Sequence, residues 1–249
     1  MTDTPLHRHL LTHAAAFHTT RWSVVLSVRG KASPEASEAL EALCRQYWPP
    51  LYAYVRHRGN SAHDAQDLTQ AFFARLLEKE WLADVDREKG RFRSFLLMAL
   101  KRFLANEWDR SRAQKRGGAV EVISLDAQAA ERIPIPELSA MPSEFLFEKR
   151  WALTVLENVM RRLREEHETA GRLAEYERLK PCLTAERGGI GYDEIAIDLH
   201  MEPASARSAV HRLRKRFREV FREEVAATVA DPADVEDEMR AVVAALGRA

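Results

Sequence analysis

Apolar residues recur every three to four positions along most of this chain, and stretches that alternate apolar with polar are nearly absent. That spacing predicts helices and almost no strand. A short amphipathic segment over 20–29 offers Trp22, Val25 and Leu26 to a core. Ser33–Pro34 then supplies an N-cap followed by a proline at the first helical position, where a missing N–H loses no partner. Leu40, Leu43, Cys44, Tyr47, Leu51 and Val55 mark one helix face, with a kink predicted at Pro49–Pro50 and a stop at Gly59–Asn60. Ser61 opens the next helix, and Asp64 three residues on makes an approximate capping box. Its apolar face is Leu68, Phe72, Phe73, Leu76 and Leu77. After a polar turn at 84–90, a long helix starts near Arg91 and buries Phe92, Phe95, Leu96, Ala99, Leu100, Phe103 and Leu104. It runs into a basic segment around 110–116 and stops at Gly117–Gly118.

Residues 118–142 carry Pro134, Pro136 and Pro142 with little periodicity, and read as a linker. A helix over 144–168 follows, with Phe147, Trp151, Leu153, Val155, Leu156, Val159 and Leu163 apolar, and then a shorter one over 172–180. In 192–218, Ile195, Leu199 and Met201 precede, and Ala206, Val210, Leu213 and Phe217 follow, a break at 200–203. Pro203 suits the first position of the second helix, which continues to about 227. Its outward positions are Ser205, Arg207, Ser208, His211, Arg212 and Lys215. A short helix, a tight turn and a helix with a cationic outer face form a helix-turn-helix, whose second helix enters a DNA major groove. Arg214, Arg216 and Arg218 are expected to meet phosphate or solvent. Asp231–Pro232 restarts a terminal helix with Val235, Met239, Val242, Val243 and Leu246 on one face, expected to pack on its own domain. The predicted fold is all-α, with two small helical domains, 34–117 and 143–230, joined by the linker 118–142. Extensions 1–33 and 231–249 flank them.

The formal net charge is zero. Charge nevertheless segregates: 101–116 and 207–222 are rich in bases, while 231–238 is acidic. Segregated basic faces allow a neutral chain to bind nucleic acid. Two cysteines far apart, Cys44 and Cys182, form neither a disulfide framework nor a metal motif, and are expected as buried free thiols. No signal-peptide layout or membrane-length apolar run is present, so the expected compartment is a reducing cytoplasm. No catalytic constellation emerges, and no cofactor is expected. His167–Glu168 starts a zincin-like pair, but Gly171 stands where the second ligand belongs. His7, His9, His13 and His18 are read as adventitious metal binders, and Glu165, Glu166 and Glu168 as solvated.

Two segments share a resemblance to one family. YWPPLYAYVRHRGNSAHDAQDLTQAFFARLLEK and then GRFRSFLLMALKRFLANEWDRSRAQKR resemble the second conserved region of bacterial sigma-70-type RNA polymerase sigma factors. Residues 192–218 look like the helix-turn-helix of their fourth region, and the order and linker resemble the extracytoplasmic-function group. The resemblance implies a non-enzymatic factor that binds core RNA polymerase and promoter DNA and initiates transcription. It implies docking of Asp64, Asp67 and Gln70, with Arg75 at the rim, on the clamp helices of the polymerase beta-prime subunit. Lys101, Arg102, Asn106, Trp108, Arg110 and Arg112 would open and read the minus-ten element, and Ser205, Arg207, Ser208, His211, Arg212 and Lys215 the minus-thirty-five element. An anti-sigma factor or a regulatory kinase is a candidate partner, with Ser61 a candidate phosphorylation position. Four positions depart from the family: Ala71 where Glu is frequent, Arg102 and Asn106 where Asn and Asp are frequent, and His200 where the turn usually has Gly. The alternatives are a free-standing helix-turn-helix regulator with an N-terminal sensor or dimerisation domain, and an enzyme carrying a DNA-binding module.

Overall fold

The structure, a computed structural model, describes residues 34–77, 91–113, 141–186, 189–229 and 231–247. Expectations for 1–33 with its four histidines, for the 84–90 turn, for Gly117–Gly118 and for most of the linker lie outside the described residues. Among the described residues the regular elements are all helices. They are α1 (Pro34–His57), α2 (Ala62–Leu77), α3 (Phe92–Ala113), α4 (Ser143–Thr169), α5 (Leu173–Leu179), α6 (Tyr192–Asp198), α7 (Pro203–Ala226) and α8 (Val235–Leu246). Short 3-10 turns cover Lys180–Leu183 and Pro232–Asp234. The all-α expectation holds. α1 runs through Pro49 and Pro50 without ending, although neither proline can donate to the preceding turn. No described helix is long and apolar enough to cross a membrane.

The chain divides into two compact units, one formed by Met1–Trp151 with Ala226–Ala249 and the other by Ala152–Val225. In the first, helical spacing turns Tyr47, Leu51 and Val55 of α1, Phe72 and Leu76 of α2, and Phe92, Leu96, Leu100 and Phe103 of α3 inward. Edge-on aromatic pairs tie these helices, Phe72 to Phe103 at 5.7 Å and Tyr47 to Phe92 at 5.2 Å between ring centroids. Such pairs add roughly 0.5–1.5 kcal/mol each beyond their buried area. Phe92 and Phe103 are therefore core, and Phe95 is half-buried. Cys44 is half-buried, and burial, helped by Glu41, pushes its thiol up to about 12.

The first unit also takes in Leu146, Phe147 and Trp151 of α4, and all of α8. This corrects the expectation that the terminal helix packs on the domain next to it in sequence. It also corrects the register. The buried stripe of α8 is Val235, Glu238, Val242 and Ala245, while Val243 is exposed. Glu238 turns inward because two arginines of the first unit meet it: Arg93 Nε lies 2.8 Å from one carboxylate oxygen and Arg91 Nε 2.8 Å from the other.

The second unit packs Val155, Val159 and Leu163 of α4, Tyr176, Leu179, Cys182, Ile195 and Ala196, and Ala206, Ala209, Val210 and Leu213 of α7. Three arginines latch it. Arg162 donates to Glu224 at 2.8 Å and Glu223 at 2.6 Å. Arg216 donates two bonds to Glu166 at 2.7 and 2.9 Å, and that partner lowers the Glu166 carboxyl pKa. Arg214 donates to the carbonyls of Cys182 and Ala185, both at 2.7 Å. Arg214 and Arg216 are thus internal latches rather than phosphate contacts, and Glu166 is paired rather than merely solvated. Arg218 is exposed.

Candidate nucleic-acid interface

In the first unit the α1–α2 corner sets one side of an open cleft. Gly59 takes a positive φ of 90°, and the Asn60 side-chain amide donates to the Val55 carbonyl at 2.9 Å, closing the end of α1. Ser61 then caps α2 as expected. Its Oγ accepts from the Asp64 backbone N–H at 3.1 Å and donates to the Asp64 carboxylate at 2.6 Å. With Ala65, Thr69 and Phe72 inside, Asp64 is exposed and Asp67 half-buried on the outer face of α2. Asp67 sits 3.5 Å from His63. Gln70 is half-buried with its amide nitrogen making no hydrogen bond, and Arg75 is half-buried farther along.

α3 supplies the other side. Burial of Phe92, Leu96, Ala99, Leu100 and Phe103 leaves Lys101, Arg102, Asn106, Trp108 and Arg110 exposed. Trp108 is 61% exposed, a large apolar ring held out to solvent. Arg112 lies in α3, but its side chain is outside the described residues. The cleft, about 720 Å³, is lined by Arg58, Asn60, Asp64, Asp67, Lys101 and Trp108 among others. It brings two acids expected to dock a protein next to a cation and a ring expected to meet DNA. Gln70, Arg75, Arg102, Asn106 and Arg110 do not line it. Lys101 also meets the Glu144 carboxylate at 2.6 Å, and that hydrogen bond lowers the Glu144 pKa. Arg110 meets Glu107 at 2.8 Å. The sequence reading missed Arg58 and Asn60 as lining residues; their place at the Gly59–Asn60 stop of α1 was the available signal.

In the second unit α6 ends in a Schellman motif. Met201 N–H donates to the Ala196 carbonyl at 2.9 Å and His200 N–H to the Ile197 carbonyl at 3.2 Å. His200 occupies the left-handed position at φ 51°, where the family's turn usually has Gly. The Glu202 carbonyl then accepts from Ser205 and Ala206, and Pro203 begins α7. Ala206, Ala209, Val210 and Leu213 face inward, so Ser205, Arg207, Ser208, His211, Arg212 and Lys215 are all exposed. The Arg207 guanidinium lies 5.4 Å from the Tyr192 ring centroid, which steadies it. Ser208 Oγ donates back to the Ala204 carbonyl at 3.0 Å.

Residues 43–114 match the sigma-70 region 2 family. This match supports a sigma-70 family sigma factor. The matched span covers most of α1, all of α2 and all of α3, and so the whole of the cleft between them. A region 2 match supports a role in promoter recognition and RNA polymerase binding. α6 and α7 lie outside the matched residues. Comparisons with curated proteins and with solved structures gave no match.

Proposed function

We propose that the chain is a sigma factor of the extracytoplasmic-function type, working in the cytoplasm with promoter contacts at two elements. The observation that carries the reading is the pairing, in one chain, of a sigma-70 region 2 with a later helix that turns six polar or cationic side chains outward. Asp64, Asp67 and Gln70, with Arg75 at the rim, dock the clamp helices of core polymerase. Acids on a rigid helix pair well with arginines of a partner. α3 opens the minus-ten element. Lys101, Arg102, Arg110 and Arg112 neutralise phosphates, Asn106 meets a base edge, and Trp108 stacks on an extruded base beside the cleft. α7 reads the minus-thirty-five element in the major groove, with arginines on guanine and hydroxyls on base or phosphate. Regulation falls to an anti-sigma factor or a kinase. A phosphate on Ser61 would have to replace its hydrogen bond to Asp64 and lie beside that carboxylate.

The chain mixed with core polymerase is expected to start run-off transcripts at discrete positions on genomic DNA. DNA binding without core binding would instead identify a free-standing helix-turn-helix regulator. Asp64→Ala together with Asp67→Ala should weaken core binding at least about tenfold, because a charge-assisted contact is worth about 1.5–3 kcal/mol. Helix content should not change. An unaltered affinity would reduce both acids to helix caps.

A further inference from the structure

α3 begins against its own electrostatics. A helix N-terminus is electropositive and favours acids, yet the first turn of α3 holds none, and Arg91 and Arg93 stand there instead. The missing acid comes from far away. Glu238 of α8, only 1% exposed, lies with one oxygen 2.8 Å from the Nε of Arg93 and with the other 2.8 Å from the Nε of Arg91, and it accepts a hydrogen bond from Arg93 Nη2 at 3.4 Å. Arg93 is itself only 3% exposed. Its Nη1 lies 3.2 Å from Glu148, and its Cζ 4.5 Å from the centre of the Trp151 ring. Glu148, Trp151 and Glu238 all lie outside the span that matches region 2.

A buried ion pair of this kind adds little net stability, since desolvation offsets attraction. It does fix geometry, because a guanidinium and a carboxylate meet in few orientations. α3 transmits that geometry. Lys101 to Arg110 lie 8–17 residues beyond Arg93 on the same helix, roughly 12–26 Å at 1.5 Å per residue. A tilt of about 5° at the first turn would displace them by about 1–2 Å, enough to spoil a stacking or hydrogen-bond contact.

We infer that Glu238 is a positioning residue for promoter opening, through which the C-terminal helix sets the direction of α3 by clasping Arg91 and Arg93. The inference rests on the proposed role of α3 in opening DNA. It is tested in the full chain with Glu238→Gln, which keeps the shape and removes the charge. Three quantities are read: amide hydrogen exchange in the free protein, core-polymerase affinity, and the opening rate reported by 2-aminopurine in the minus-ten element. Exchange over 92–98 should quicken at least tenfold while 65–76 stays within twofold. Core affinity should stay within twofold, and opening should slow at least tenfold. Arg91→Gln, which removes only the more exposed arm of the clasp, should slow opening less and add nothing in the Glu238→Gln background. Wild-type exchange over 92–98 in Glu238→Gln overturns the inference. So does opening that is unchanged or falls only in step with core affinity, and so do additive effects of the two substitutions. Failure of the wild-type chain to open any promoter with core would instead sink the sigma-factor mechanism, and the exchange arm would still judge the clasp.

Discussion

Arg207 and Arg214 sit about two turns apart on α7 and face different demands. Arg207 is exposed over Tyr192, whereas Arg214 clamps two carbonyls at the end of the Lys180–Leu183 turn. Arg214→Ala should cost the second unit about 1.5–3 kcal/mol, since charged hydrogen bonds are lost and carbonyls are left without partners; the urea midpoint measures it. Arg207→Ala should leave that midpoint nearly unmoved and instead weaken promoter binding by about 1–3 kcal/mol, with relaxed preference at one base pair. Uniform loss across sequences with a smaller salt slope would assign Arg207 to phosphate. Helical counting sufficed to place the six outward residues of α7, because Ala206, Ala209, Val210 and Leu213 fix the inward face. It failed for Arg214 and Arg216, whose long side chains reach partners 32 and 50 residues away. No local pattern encodes such reach.

At the scale of an element, the same turn appears twice with different residues. α4 closes with Arg172 N–H on the His167 carbonyl and Gly171 N–H on the Glu168 carbonyl, with Gly171 at φ 67°. Glycine adopts that conformation without a Cβ clash. α6 closes in the same way with His200 at the left-handed position. His200→Gly is therefore expected to stabilise the second unit by about 0.5–1 kcal/mol, the relief of strain exceeding the added chain entropy. A higher urea midpoint at constant slope would register it. Capping and turn signals made the described helices legible, from the Ser61 cap to Pro203 at the start of α7. α8 was legible as a helix but not in its rotation. Glu238 stands three residues after Val235 and four before Val242, so a charge in that stripe was the available clue. Its arginine partners were not, since Arg93 lies 145 residues away.

Across the whole molecule, the two units carry carboxyls with opposite responses to pH. Burial raises the folded pKa of Glu238 in the first unit, outweighing Arg93 and Arg91. The folded state then holds that proton more tightly than the unfolded one. Its contribution is full below the unfolded value of about 4.3 and is lost as pH rises through the higher folded value. In the second unit Arg216 lowers the pKa of Glu166. That contribution is full above about 4.3 and is lost as pH falls through the lower folded value. Glu144, lowered by Lys101, brings the first unit a term of this second kind. Amide exchange followed separately in each unit from pH 7 to pH 3 should show both signs. Glu166→Gln should remove the acid-side loss of the second unit, and Glu238→Gln the alkaline-side loss of the first.

The first unit is also discontinuous in the chain, its two pieces separated by Ala152–Val225. Synthesis therefore imposes an order on it. At roughly 5–20 residues per second, the 145 residues between Arg93 and Glu238 take a ribosome roughly 7–30 s to add. Throughout that interval α3 exists without its distant counterion, while every residue of Ala152–Val225 is made before Glu238. A nascent chain thus completes the sequence of its region 2 long before it can clasp it, and a ribosome that stalls in that interval leaves α3 unset.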